Sequence, residues 1–510
     1  MEFIPVAPYR PDVARFDTGV GALAENVVPL NRTKTSQGDT ITFGPVEDYS
    51  AFTSALPSRV QGAFGFTDSI KTPYVFVGTI DKLYSLESGD TAFDLATDVT
   101  AFATPTDSYW EFSSYGDRVM ATNGVDPVQS IVTTTTAKFT PLSPDAPAAK
   151  RIATVREFIV LGNTQDSTYG VRPQRVWWSA VDDPTFWPDP VSTTAAQVQS
   201  GFVDRVGDWG DIQGIVPALT NADAAVIFER GVHRMTFSQF PATFSFDVVE
   251  GSKGTPAPKS IVRVENQVYY LGEDGFYAFD GLNIRAIGHS MIDRWFYTNV
   301  DDNFIERVVG AYDPNAKLVY WAFPSTQSSE GNPDRILAFN YQIGEWSVIN
   351  ENTSFIFPSF TFAITLEQLD ALYPTIEDVP YSLDSKIFAG GLEVITIFDH
   401  QNRLAYKASS TKEALVESAQ FDTGSNFRGV VTNAGAMVEG ETEDFRIGLF
   451  YRDRLNAAFQ QDPSVPPNTT GFCPLFRDSR YFKLRMRLLA NASWTEIQGF
   501  RVEIQRSSEF

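Results

Sequence analysis

A short hairpin recurs along this chain, and it limits the fold more than any other feature. Its clearest copy is Gln267–Asn283, QVYYLGEDGFYAFDGLN. Gln267–Leu271 reads as a strand, Glu273-Asp274-Gly275 as a tight turn and Phe276–Phe279 as the returning strand, and Asp280-Gly281 turns the chain again. Asp-Gly pairs between aromatic and β-branched runs are strong hairpin signals, because glycine takes up positive φ without strain. Related units begin near Tyr74 (YVFVGTIDKLYSLE), Arg118 (RVMATNGVDPVQSI), Phe158 (FIVLGNTQ), Ala225 (AVIFERGVHRMTF), Val268, Leu318 (LVYWAFPS, returning as RILAFNYQIGEWSVI) and Ile395 (ITIFDHQNRLAYKAS). Successive starts differ by 44, 40, 67, 43, 50 and 77 residues. Most of these lie near the roughly 40–45 residues of a four-stranded propeller blade. The two long intervals require insertions, placed at 163–211 and 358–386.

An all-β fold follows: a β-propeller of six or seven blades over residues 50–410. One small twisted sheet cannot bury both faces alone, whereas radial packing of several sheets can. Gly344–Val348 (GEWSV) reads as an outer strand with a packing tryptophan. The competing architecture is a pair of large β-sandwiches. The sequence shows no Gly-His…Trp-Asp signature, no Gly-Gly kelch pattern and no Ser-x-Asp-x-Gly-x-x-Trp box of sialidase-like propellers. Residues 1–49 read as an extended arm, since Pro5, Pro8, Pro11 and Pro29 oppose a helix. Residues 411–510 read as an antiparallel β-sandwich or jelly roll with longer strands. In Tyr481–Ala490 (YFKLRMRLLA), Phe482, Leu484, Met486 and Leu488 alternate with Lys483, Arg485 and Arg487, which puts apolar groups on one face and cations on the other. The clearest helical window is Ala363–Leu372, with a capping-box pattern at Thr365–Gln368.

Charge divides the chain. The net charge is −23, yet residues 420–510 carry 11 Lys and Arg against 11 Asp and Glu. The whole imbalance therefore precedes them, and the two regions are expected to meet different partners. An acidic body does not adsorb DNA, because affinity for phosphates rests on cations. With one cysteine, Cys473, and three scattered histidines, His233, His289 and His400, no disulfide framework and no Cys- or His-based metal site is expected. The start, MEFIPVAPYRPD, lacks the apolar core of a signal peptide, and no run of 18 apolar residues occurs. Expression in a reducing cytosol, without a membrane segment, is the expectation.

The order of fragments resembles the tail hub, nozzle or stabilisation proteins of short-tailed bacteriophages. The matching pieces are Pro8–Leu30 (PYRPDVARFDTGVGALAENVVPL), Gly62–Asp68 (GAFGFTD), Phe76–Leu86 (FVGTIDKLYSL), Arg175–Pro188 (RVWWSAVDDPTFWP), Gly207–Pro217 (GDWGDIQGIVP), Val226–Phe237 (VIFERGVHRMTF), Tyr269–Gly281 and Ile292–Phe296 (IDRWF). A carboxyl-terminal sandwich closes the series. The resemblance covers nearly the whole chain and lies in the order of the motifs rather than in any one of them. It implies a cyclic ring, usually a hexamer, below the portal–adaptor assembly, around a channel through which DNA passes without specific binding. Distal needle, tip or fibre proteins would attach nearby. The implied location is the virion tail, assembled in the host bacterial cytoplasm.

The residue constellations suit a structural role, and neither a catalytic residue nor a cofactor is expected. Arg477, Arg480, Lys483, Arg485 and Arg487 form the one basic concentration, a candidate face for an acidic neighbour. Glu367, Asp370, Glu377, Asp378 and Asp384 lie in an acidic insertion with no base, a candidate for the channel lining or a distal partner. Trp177, Trp178, Phe186 and Trp187 are dense enough for a stacking platform, but adjacent Trp177 and Trp178 must face opposite ways in a strand. Asp204, Asp208 and Asp211 lack the full spacing of a calcium loop. Glu273, Asp274 and Asp280 are explained by turn chemistry. The competing functions are a propeller glycosidase, which needs two carboxylates on one cleft, and a carbohydrate- or receptor-binding propeller at the host surface.

Overall fold

The computed structural model describes residues 1–13, 19–35, 38–238, 242–362, 370, 375, 379, 388, 390–424, 427–440 and 443–509. Most of the helical window 363–372 lies outside them.

Each of the seven hairpins becomes the second and third strands of a four-stranded antiparallel sheet, and the chain is a seven-bladed β-propeller. The first strands are Gly62–Thr67, Glu111–Tyr115, Ala148–Val155, Ile212–Leu219, Val262–Val264, Val309–Asp313 and Thr353–Phe360. They surround the axis. The second strands (for example Pro73–Gly78 and Gln267–Leu271) are almost wholly buried, because blades pack on both of their faces. Trp177 and Trp178 show the alternation directly. Both are buried, Trp177 in the core shared with blade 2 and Trp178 in the core shared with blade 4.

Ring closure is non-local. The fourth strand of blade 7 is Glu47–Ala51, paired antiparallel with Leu404–Thr411. The other strands of the N-terminal segment pair with the body of the chain and are not free-standing. Glu2–Pro5 pairs with the last strand, Glu496–Glu509, and the hairpin Val27–Thr35/Gly38–Pro45 joins the same sheet. Pro29 lies where the register of that hairpin shifts, on an edge strand, where a missing N–H is tolerated. Ala24–Glu25 lies between Glu345–Asn350 of blade 6 and Ala414–Glu417, so the blade 6 sheet runs on without a break into the carboxyl-terminal sandwich. One core therefore joins Trp321 and Trp346 of blade 6 to Phe482, Leu484, Met486 and Leu488 of the sandwich.

Two fragments of the linear pattern have clear packing reasons. Gly62 and Gly78 make room for Trp110, whose indole nitrogen donates to the Thr79 carbonyl at 2.8 Å. A Cβ at Gly78 would overlap the indole ring. Gly78→Ala is expected to lower stability by about 1–3 kcal/mol through overpacking, read as a fall in the denaturation midpoint; an unchanged midpoint would rule this packing out. The helix Asp293–Asn299 has no side-chain cap of its own. Asp12, from the amino-terminal fragment, supplies one: its carboxylate accepts from Arg294 N at 3.0 Å and Trp295 N at 2.8 Å. These are free donors of a first turn. Asp12→Ala is expected to cost about 1–2 kcal/mol, and a thermal midpoint equal to wild type would refute the cap.

Candidate functional site

The basic residues singled out in the sequence are divided between two sheets. Lys483, Arg485 and Arg487 share one face of the strand Tyr481–Leu488, whereas Arg477 belongs to Phe472–Ser479 in the facing sheet. Arg480 lies between the two strands, near the Tyr481 ring at 5.7 Å. The apolar side of Tyr481–Leu488 is buried as its alternation requires, with Phe482, Leu484, Met486 and Leu488 fully enclosed.

The cations are largely neutralised within the chain. Arg485 donates to Glu417 Oε1 from Nη2 at 2.6 Å and Nε at 3.2 Å, with its guanidinium 4.4 Å from the Phe450 ring centre. Arg487 pairs with Glu413 at 2.6 Å, and Arg477 forks onto Asp462 at 2.6 and 2.9 Å. Lys483 is buried, lies 5.5 Å from the Phe459 ring centre, and has its pKa lowered, first by desolvation.

The neighbouring strand Phe445–Arg452 adds what the sequence reading missed. Arg446 sits directly opposite Arg487, and Gly448 opposite Arg485. Like charges in cross-strand register repel. Arg446 is exposed and makes no ion pair among the described residues. The period-two pattern of FRIGLFYR carried this signal. The acids opposite the cations, Glu413 and Glu417, arrive through a pairing that no local pattern shows.

In the acidic insertion, Asp370 is exposed, and Glu367, Glu377, Asp378 and Asp384 lie outside the described residues. The insertion connects Phe360 to Glu393, which are register partners at one end of blade 7.

The remaining constellations resolve into structural roles. Asp204 accepts two hydrogen bonds from Arg175, and Asp211 accepts one from Asn163. No metal-holding group of His, Cys, Asp or Glu exists among the described residues. Asp280 Oδ1 accepts from Leu282 N and Asn283 N, and Asp274 accepts from the Tyr277 hydroxyl, so both carboxylates serve their turns. Cys473 is buried, and burial pushes its thiol up to about 11, far from a reactive thiolate.

On the propeller axis the first strands leave a cavity of about 360 Å³, lined by Glu111, Pro217, Lys259, Arg263 and Phe357 among others. Lys259 Nζ donates to the Trp110 carbonyl at 3.0 Å, and burial brings its pKa down to about 8 against the opposing pull of Glu111. A space of this size suits a small ligand. It is no conduit for a duplex.

No family model matches the chain, and neither does any curated protein. Solved structures that resemble it include two other propeller proteins. Apo AztD from Citrobacter koseri is 11% identical over 64% of this chain and 94% of that chain, with a TM-score of 0.30. YCF48 bound to D1 peptide is 10% identical over 60% and 86%, with a TM-score of 0.34. The computationally designed Ika8 protein is 8% identical over 70% and 98%, with a TM-score of 0.36. Likenesses of this strength say nothing about function. No helix among the described residues is long and apolar enough to cross a membrane.

Proposed function

We propose that this chain is a structural virion protein: a tail nozzle or hub subunit that forms a cyclic ring, a hexamer, below a portal–adaptor assembly and encloses the DNA ejection channel. The reading rests on the ordered series of fragments shared with that family. Its support in three dimensions is that distant members of the series meet. Asp12 of PYRPD caps the helix of IDRWF, Phe276 of the central hairpin packs on Phe296 at 5.0 Å, and Asp293 accepts from Phe276 N at 3.1 Å. Three of the fragments are thus parts of one joint in the fold.

DNA would run along the ring axis between copies, since the propeller axis of one chain is too narrow. The ring lumen would be lined mainly by Asp, Glu and neutral polar groups, so that a duplex slides instead of binding cations in succession. The protein would carry out no catalysis. Mass measurement and negative-stain imaging, alone and with the adaptor ring, test the proposal. The expected result is a closed ring on the adaptor; a monomer under both conditions, or tight duplex binding at physiological salt, would overturn it.

A further inference from the structure

The cavity on the propeller axis carries an unbalanced charge. Its wall draws on the first strands of every blade but the third, or on the residues leading into them. Ile215, Val216, Ile261, Val309 and Phe357 make much of that wall apolar. Three charged residues line it: Glu111 of blade 2, and Lys259 and Arg263 of blade 5. Glu111 is already engaged, because its Oε2 lies 3.4 Å from Arg151 Nη1 of blade 3. Lys259 makes one hydrogen bond, from Nζ to the Trp110 carbonyl at 3.0 Å, and Arg263 makes one, from Nε to the Glu265 carbonyl at 2.9 Å. Neither forms an ion pair among the described residues. A chain of net charge −23 therefore places two uncompensated cations on one small space.

Lys259 carries the argument furthest. It leaves blade 5 and reaches across the axis to the carbonyl that precedes blade 2. One of its three ammonium protons is used there. The residue is half-buried rather than sealed, so a ligand in the cavity can reach it. An ammonium withdrawn from bulk water is ordinarily paired with a carboxylate. Here the opposing acid, Glu111, is shared with Arg151, whose charge adds to desolvation in holding the lysine near pH 8. Tyr109, whose ring centre lies 5.7 Å from Nζ, offers no anion: its hydroxyl donates to the Glu306 carbonyl at 3.0 Å, and burial raises its pKa.

We propose that the axial cavity is a binding site for a small oxyanion of charge −2, met by Lys259 and Arg263. A guanidinium takes a carboxylate or a phosphoryl group bidentately, and an ammonium serves either as a point charge. Two carboxylates on a short carbon chain would give one group to each cation and lay the chain against Ile261 and Val309. A single phosphoryl group brings the same charge to one centre. The site lies within one chain and stands whether or not the protein forms a ring.

Calorimetric titration of the full chain at low salt tests it, with succinate, its uncharged analogue succinamide and inorganic phosphate as probes. The better of the two anions is expected to bind at least about tenfold more tightly than succinamide, since only the anions form charge-assisted hydrogen bonds. Tighter binding of succinate than of phosphate identifies a dicarboxylate as the occupant; the reverse identifies a phosphorylated compound. Lys259→Met should weaken the better anion by about tenfold or more and Arg263→Gln by about fivefold, with both variants melting as wild type does. Wild-type affinity should also fall by about fivefold from pH 8 to 9.5, where both anions keep their charge and Lys259 loses its proton. If neither anion exceeds succinamide at up to about 10 mM, if either variant binds as wild type does, or if the pH profile is flat, the proposal fails. Should Lys259→Met not fold, the Arg263→Gln titration and the pH profile decide.

Discussion

Replacing Arg485 by Glu is expected to destabilise the folded chain itself by about 3 kcal/mol. Its partner, Glu417, has a side chain only 8% exposed and receives both guanidinium hydrogen bonds at 2.6 and 3.2 Å. Removing one member of a buried pair leaves the other charge uncompensated, which costs about 3–5 kcal/mol. Arg485 is itself 32% exposed, so solvent screening places the effect at the low end. Reversal also strips the cation from the face of Phe450. Arg446→Glu should behave otherwise. That residue is exposed and opposes Arg487 in register, so its reversal relieves a like-charge contact and stability stays within about 0.5 kcal/mol. Denaturant midpoints of the two variants separate these outcomes, and a wild-type midpoint for Arg485→Glu would show that the pair contributes nothing. The consequence reaches the assembly question. Failure of an Arg485 variant to form rings reports a damaged sandwich, whereas failure of Arg446→Glu with an intact midpoint reports a lost docking contact.

The parts of the fold legible in the sequence are those decided within about fifteen residues. Tyr74–Leu86 and Val268–Asp280 read as blade hairpins because a tight turn and two apolar runs suffice to define one. Most fourth strands left no such trace, Glu345–Asn350 of blade 6 with its buried Trp346 being the exception. Asp94–Leu95 and Thr140–Pro141 are two-residue exposed strands without a pattern. The closing strand Glu47–Ala51 has the composition of a loop and becomes a strand only because Leu404–Thr411 offers it a free edge. The same limit governs the surfaces. Alternation placed Lys483, Arg485 and Arg487 on one face, but cross-strand register decided that Glu417 and Glu413 would meet two of them.

Acidification from about pH 6.5 to 4 should pull the stability of this protein in opposite directions through two buried groups, and single variants should separate them. His233 is fully buried in blade 4, with Nδ1 3.3 Å from Arg205 Nε and its ring edge-on to Trp209. Desolvation, helped by the Arg205 charge, lowers its pKa to about 4. The unfolded chain protonates such a residue near pH 6.5. Between these values the unfolded state binds more protons, so His233 alone makes the protein lose about 3 kcal/mol as pH falls from 6.5 to 4. Asp293 is the mirror case. Burial between Gly275 and Gly288 raises its carboxyl to about 6, against the hydrogen bond from Phe276 N. Here the folded state binds more protons, so stability rises by about 3 kcal/mol as pH falls from 6 to 4. In the native chain the two slopes nearly cancel across that window. Asp293→Asn should expose the histidine slope, with the urea midpoint falling steadily on acidification from pH 6.5. His233→Asn keeps an acceptor for Arg205 and should expose the opposite slope, with the midpoint rising from pH 6 toward pH 4.5. Parallel midpoint curves for the wild type and both variants would mean that neither group titrates with its shifted pKa, and the electrostatic account of both cores would then be wrong.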